Sequence, residues 1–405
     1  MIELLAPSGN MERLKTAIYF GADAVYLAYK KYGLRAQADN FDEQELKDAI
    51  EYAHKRNKKV YVTLNIFAHE QDFSEMPQFL QYLNTLRPDG AIVSDLGVAS
   101  LVKKYAPNVP LHLSTQANLT NKYSAMEYVN FGFKRLVLAR EVTIEEIKKI
   151  RDYIPSEIEL EAFVHGAMCI SYSGRCLLSN FLTGRSGNSG ECAQSCRWEY
   201  YLREKNRQDE MEIHEDGRGT YILNSKDMNM LEHLDKLINA GVTSLKIEGR
   251  VKTSYYVASV VNCYRRALDY YNEKGTLDGM PSEIKDDILK PSHRKYCTGF
   301  YLNDKKHNEC YETSKPRQTY DFIASVLGSD NDGAWIEMRN RFKVGDELEV
   351  LSPNKYHNQK IVVKSLTDEN GKAVEDALLV KQKLKLQTNV PLQNGDILRK
   401  RAIVE

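Results

Sequence analysis

The chain has 405 residues, 56 basic against 56 acidic side chains, a formal charge of zero and 42% apolar residues. That length supports a large core and more than one domain, and the neutral balance excludes a global nucleic-acid footprint, leaving any RNA contact to local patches. No apolar run reaches the length of a membrane span, and the opening MIELLAPSGN has neither the basic nor the apolar region of a secretory signal, so a reducing, cytoplasmic compartment is expected.

Taken in order, short apolar runs at Glu3–Ala6, Asp23–Ala28, Lys59–Asn65, Ala91–Asp95, Leu111–Thr115, Arg135–Ala139, Ile158–Val164 and Ser244–Glu248 read as strands. Amphipathic stretches such as Met11–Phe20, Glu43–His54, Met76–Leu86, Ile144–Tyr153 and Leu231–Ala240 read as helices between them. Gly21, Gly90, Gly132 and Gly241 fall where C-cap glycines belong. Eight such units within residues 1–275 fit a (β/α)8 TIM-like barrel better than an open sheet. The glycine-rich fingerprints of nucleotide-binding sheets are missing from the sequence.

The seventh unit carries an insertion at about residues 165–225, too long for a plain connection. A hairpin from Glu199–Arg203 to Thr220–Asn224 is expected within it, followed by NSKDMNML as a helix start with Asp227 near the N-cap. Residues 276–320 read as a connector containing a helix at Pro281–Leu289. Residues 321–405 alternate with period two between turn signals, which predicts a small C-terminal β-barrel domain.

Four of the seven cysteines lie in the insertion: Cys169, Cys176, Cys192 and Cys196, spaced C-x6-C-x15-C-x3-C. In a long chain without a secretory signal, clustered thiols point to metal ligation rather than disulfides. Structural zinc favours two short knuckles, and only Cys192 and Cys196 form one. The irregular spacing and interspersed glycines suit an iron–sulfur cluster, with zinc or redox thiols as alternatives. Cys263, on a helical pattern, reads as core.

Polar residues at strand ends converge on one mouth of such a barrel; here they are Asn65, Asp95, Gln116, Arg140, Glu141, His165, Glu248 and Arg250. His165, Glu248 and Asp95 are the candidate catalytic groups. Arg35, Gln116, Arg140, Lys246 and Arg250 are the candidate substrate contacts, because guanidinium groups bind carboxylates bidentately. The basic stretches His293–Lys295, Lys305–His307 and Lys381–Lys385 are the candidate RNA patches. Neither HExxH nor G-x-S-x-G occurs.

The segment EAFVHGAMCISYSGRCLLSNFLTGRSGNSGECAQSCRWEYYL, together with LLAPSGN, DAVYLA, NSKDMNML and KIEGRVKTSYYVA, closely resembles the collagenase-like peptidase U-32 family over nearly the whole chain. Within the family it is most similar to the branch that hydroxylates tRNA. That resemblance implies an oxygen-independent hydroxylase forming 5-hydroxyuridine at the wobble position, with prephenate as a required metabolite. It also implies a [4Fe-4S] cluster on Cys169, Cys176, Cys192 and Cys196, tRNA as partner, and an oligomer with itself or a paralogue as an open question. The family name keeps a collagenase-like peptidase with a structural metal site as the alternative.

Overall fold

The computed structural model describes residues 2–33, 39–169, 178–185, 192–195, 215–216, 219–220, 226–302, 317–330 and 332–402. Strands β1 (Glu3–Pro7), β2 (Ala24–Ala28), β3 (Lys59–Leu64), β4 (Gly90–Val93), β5 (Leu111–Leu113), β6 (Arg135–Val137) and β7 (Glu159–Ala167) each pair in parallel with the next. Two-residue strands β8 (Glu215–Asp216) and β9 (Gly219–Thr220) lie in the insertion, and β10 (Asp227–Asn229) follows. Strand β11 (Ser244–Ile247) pairs with both β1 and β7, closing an eight-stranded parallel barrel. The TIM-like expectation is met.

Helices α1 (Met11–Tyr19), α2 (Glu43–His54), α3 (Met76–Leu86), α4 (Leu96–Tyr105), α5 (Lys122–Phe131), α6 (Ile144–Arg151), α8 (Leu234–Asn239) and α9 (Ser254–Lys274) pack around it, with α7 (Leu178–Thr183) in the insertion. The pleat explains the layering: Leu4, Val25, Val60 and Val62 face the helices and join the main core, while Leu5, Tyr26, Tyr61 and Ile92 form a small cluster inside. Asn10 caps α1, and reciprocal boxes of Asp42 with Glu45 and Thr143 with Glu146 start α2 and α6. Gly132 ends α5 with φ 115°, as a C-cap glycine should, but Gly90 does not cap a helix. It opens β4, and a Cβ there would lie 2.5 Å from the buried ring of His112.

Strand β7 overshoots the barrel. Its last residues pair antiparallel with β10, Ala167 opposite Asp227, so the insertion leaves and returns at adjacent points. Asp227–Asn229, within NSKDMNML, therefore form a strand rather than a helix start. Asp227 does not cap; it accepts from the backbone N–H and guanidinium of Arg294 at 2.7–3.0 Å. Strand β12 (Tyr296–Cys297) pairs with β10. Helix α10 (Ser282–Asp287) buries Ile284, which joins Ile288 and Tyr301 in the barrel's core. The expected hairpin falls mostly outside the described residues; within the insertion β8 pairs with β9.

The C-terminal part is β-rich: β13 (Tyr320–Asp330), β14 (Gly333–Met338), β15 (Phe342–Lys343), β16 (Glu347–Leu351), β17 (Lys360–Val362), β18 (Leu366–Thr367), β19 (Asp376–Ala377), β20 (Lys383–Leu386) and β21 (Ile397–Arg401). Seven of them form one antiparallel ladder, ordered β17-β16-β21-β13-β14-β20-β18, around a core of its own, and β15 pairs with β19. The end strands β17 and β18 have no pairing to each other among the described residues. This domain docks on α1, α9 and α10. Asp287 accepts from Arg266 (2.8 Å) and Lys290 (2.8 Å) on the barrel side, and from His357 (2.7 Å) and Arg399 (3.0 Å) across the interface. Among the described residues no helix is long and apolar enough to cross a membrane.

Candidate active site

A cavity of about 500 Å³, counting the open space at its entrance, sits at the C-terminal ends of the barrel strands. Tyr26 comes from β2, Thr63 and Asn65 from the end of β3, Ile92 from β4, and Phe163 from β7. Ser114, Thr115 and Gln116 follow β5, Arg140 follows β6, and Lys246, Glu248 and Arg250 come from β11 and the loop after it. Alternation along β11 makes this possible: Leu245 and Ile247 are sealed against the helices while Lys246 and Glu248 line the cavity.

Six of the expected residues meet here: Asn65, Gln116, Arg140, Lys246, Glu248 and Arg250. Arg140 lies over the Phe163 ring at 4.1 Å, donates to the Ala167 carbonyl at 2.8 Å and comes within 4.0 Å of the Glu248 carboxylate. The Tyr26 hydroxyl stands 3.2 Å from the same carboxylate oxygen. Arg250 is buried and donates to Thr63 Oγ1 at 3.3 Å. The Asn65 side-chain carbonyl is buried without a partner among the described residues, a vacant acceptor that a ligand or water would satisfy.

Two expected groups stand elsewhere. The Asp95 carboxylate accepts from the Val98 N–H at 2.9 Å and caps α4; it does not line the cavity. His165 is 1% exposed and enclosed by Tyr256, Tyr264 and Tyr296, its ring nitrogens 3.3 and 3.4 Å from the Tyr264 and Tyr296 hydroxyls. Burial pushes its imidazole down to about 3, which keeps it neutral near pH 7, and it does not line the cavity. Glu141 is also absent from the lining, and Arg35 lies outside the described residues.

Beneath the cavity runs a charge network that the strand assignment did not single out. Lys246 donates to Glu161 at 2.7 Å. Arg135, 1% exposed, reaches Glu161 at 3.0 Å, Glu3 at 2.6 Å and Glu159 at 2.6 Å, and Tyr61 donates to Glu3 at 2.6 Å. Charged residues at alternate positions of otherwise apolar strands, as in ELEAFV and SLKI, were the available signal. Burial alone would raise the Glu3 carboxyl, but Arg135 and the hydrogen bonds from Tyr61 and Ser244 hold it below the usual range. His112, buried alongside, is kept neutral by burial and by Arg135.

Cys169 is exposed and Cys192 partly so; Cys176 and Cys196 lie outside the described residues. The Gln194 N–H donates to Cys192 Sγ at 3.3 Å, an arrangement that suits a thiolate ligand. Cys263 is buried on α9. Of the expected RNA patches, Lys381 and Lys383 are exposed, Lys383 lying 3.7 Å from Glu369, and Lys385 pairs with Asp330. His293 and Arg294 are buried, the first stacked on Tyr296 and the second bound to Asp227, so they offer no surface. Lys305–His307 lie outside the described residues.

Residues 9–310 match the family described as Peptidase family U32, and residues 318–399 match its C-terminal domain. The chain belongs to peptidase family U32. Among its relatives, the "tRNA hydroxylation protein P1" of Bacillus subtilis (strain 168) is 37% identical over 401 residues, covering 98% of this chain and 94% of that protein. The "23S rRNA 5-hydroxycytidine C2501 synthase" of Escherichia coli (strain K12) is 34% identical over 310 residues, 75% of this chain and 46% of that protein. A "Collagenase" of Porphyromonas gingivalis (strain ATCC BAA-308 / W83) is 32% identical over 314 residues, 75% of this chain and 74% of that one.

Proposed function

We propose that this U32 protein is an RNA hydroxylase that forms 5-hydroxyuridine at the wobble position of tRNA without molecular oxygen. In this reading prephenate is the required metabolite, and a [4Fe-4S] cluster is held by Cys169, Cys176, Cys192 and Cys196. The carrying observation is the mouth: three cationic side chains line a cavity beside the strand end from which the cysteine segment departs, and Arg140 touches both. The relatives' names support the same reaction type, since two of them refer to hydroxylation of RNA.

Replacing C5–H by C5–OH inserts an oxygen and takes two electrons from the base overall. A bound iron–sulfur cluster supplies one-electron transfer. The two described thiols and the amide directed at Cys192 fit that donor chemistry. The chain's own residues do the rest. Arg140 and Arg250 hold the carboxylates of the metabolite, and Phe163 and Tyr26 wall the cavity against water. Glu248, held by Tyr26 beside Arg140, accepts or returns a proton at its carboxylate. The exposed Lys381 and Lys383 give the C-terminal domain a contact for tRNA phosphates. For a peptidase, the described cavity residues offer no nucleophile paired with a histidine.

The test is mass spectrometry of tRNA nucleosides from a deletion strain. Nucleosides derived from 5-hydroxyuridine should vanish and should return with the wild-type gene but not with Cys169→Ala. An unaltered nucleoside profile in the deletion strain rejects the reading.

A further inference from the structure

Lys246 has a setting that a purely structural ion pair does not need. The residue, 4% exposed, lines the cavity from the inward face of β11. The rings of Tyr26 and Phe163 flank it at 4.5 and 5.3 Å, and its carboxylate partner, Glu161, sits beneath it at 2.7 Å. Glu161 is shared with Arg135 at 3.0 Å, so the pair is anchored from below. On the other side the amine shares the cavity with the guanidinium groups of Arg140 and Arg250. A carboxylate gripped by guanidinium groups, with a carbonyl on its neighbouring carbon, presents an electrophile to an amine in the same cavity.

We propose that Lys246 forms an imine with the ketone of a 2-oxo acid bound at the mouth. The Lys246 ammonium passes one proton to Glu161 along their hydrogen bond, and the neutral amine adds to the carbonyl carbon. The carbonyl oxygen leaves as water, carrying away two protons, as the C=N bond forms, and Glu161 returns its proton to the imine nitrogen; no electrons are exchanged, and hydrolysis reverses the step. The protonated imine draws electron density from the adjacent carbons and fixes the acid in one orientation. Glu161 is the proton acceptor, and Arg135 positions it. This inference rests on the proposed reading of the mouth as a carboxylate site and adds the carbonyl to what that site recognises.

The experiment treats the full-length protein with pyruvate or 2-oxoglutarate in the presence of cyanoborohydride and maps reduced adducts by peptide mass spectrometry. In parallel, calorimetry measures binding of the same acids and of succinate, which lacks the ketone. The expected result is an adduct concentrated on Lys246. Trapping should fall at least tenfold in Arg250→Ala and in Glu161→Gln, and the Lys246 adduct should be lost in Lys246→Arg, whose thermal unfolding is checked in the same preparation. Oxo acids that bind without trapping at Lys246 overturn the imine and leave the carboxylate site standing. Adducts spread evenly over surface lysines also overturn it. If neither the oxo acids nor succinate bind, both the imine and the carboxylate reading fail.

Discussion

Replacing Asp287 by asparagine tests how the two domains are held together. The carboxylate is buried and takes three cationic partners, Arg266, Lys290 and Arg399, and the His357 imidazole, all within 3.0 Å. Removing one member of a buried ion pair costs about 3–5 kcal/mol when the remaining charge is stranded. Here the stranding is partial. Lys290 and Arg399 keep Glu349 at 2.7 and 2.6 Å, and Arg266 keeps Glu283 at 3.5 Å. We therefore expect the low end, about 3 kcal/mol, from urea unfolding at pH 7 followed by circular dichroism. The pH dependence carries a sign. Burial would raise the Asp287 carboxyl, but the His357 hydrogen bond and the charges of Arg399, His357 and Lys290 outweigh it and hold it far below the usual range. A depressed carboxyl stabilises the fold above its unfolded value, roughly 4, and loses that contribution as pH falls toward the folded value. The difference between wild type and Asp287→Asn should thus be full at pH 7 and shrink below about pH 4. A difference under about 0.5 kcal/mol at pH 7, or one that does not shrink in acid, refutes the assignment of Asp287 as the hub.

Arg250→Ala and Arg140→Ala should each weaken binding of a small dicarboxylate by about tenfold or more while leaving the fold intact, since a charge-assisted contact contributes about 1.5–3 kcal/mol; unchanged calorimetric binding in both moves the site elsewhere. Protein purified without oxygen should be brown, with about four irons and four sulfides per chain, and Cys169→Ala should lose that iron; stoichiometric zinc in its place rejects the cluster. Arg135→Met should destabilise the barrel by about 3–5 kcal/mol at pH 7. That loss should shrink as pH falls through the range where Glu3, freed from Arg135, takes up a proton; a pH-independent loss in chemical unfolding counts against the network. Affinity for tRNA should fall steeply with salt and drop further in Lys381→Ala/Lys383→Ala; in a filter-binding assay, salt-independent binding removes this domain as the RNA contact.

The barrel strands were legible because each runs between two apolar layers or ends at them. In KVYVTL the alternate valines face the helices, and that periodicity is local. Strand β10 was not legible because nothing local makes it a strand. Three residues, Asp227–Asn229, pair with the overhang of β7, and the Asp227 carboxylate is claimed by Arg294, 67 positions away. The capping role of Asp95 was not legible for the opposite reason. An acid just after a strand reads the same whether it faces a ligand or caps the next helix, and α4 begins at the following residue.

His165 shows why a strand-end residue need not reach the mouth. Phe163 of β7 pairs with Lys246 and lines the cavity; two places on, alternation would turn His165 inward as well. The ladder, however, shifts register between Lys246 and Ile247, so His165 pairs with Ile247, which faces the helices, and the imidazole follows it into the tyrosines of α9 and β12. Gly166 sits at φ 109° directly after it, packed so closely on Glu248 that a Cβ would meet that residue's carbonyl oxygen at 2.7 Å. The same irregularity that removes His165 from the cavity therefore lets β7 pass over Glu248 and carry Cys169 onward from the mouth. A Gly166→Ala variant should strain this crossing by more than 1 kcal/mol and displace Glu248 together with the start of the cysteine segment. Iron content and dicarboxylate affinity should then fall together; loss of one with the other intact would mean that the crossing does not couple them.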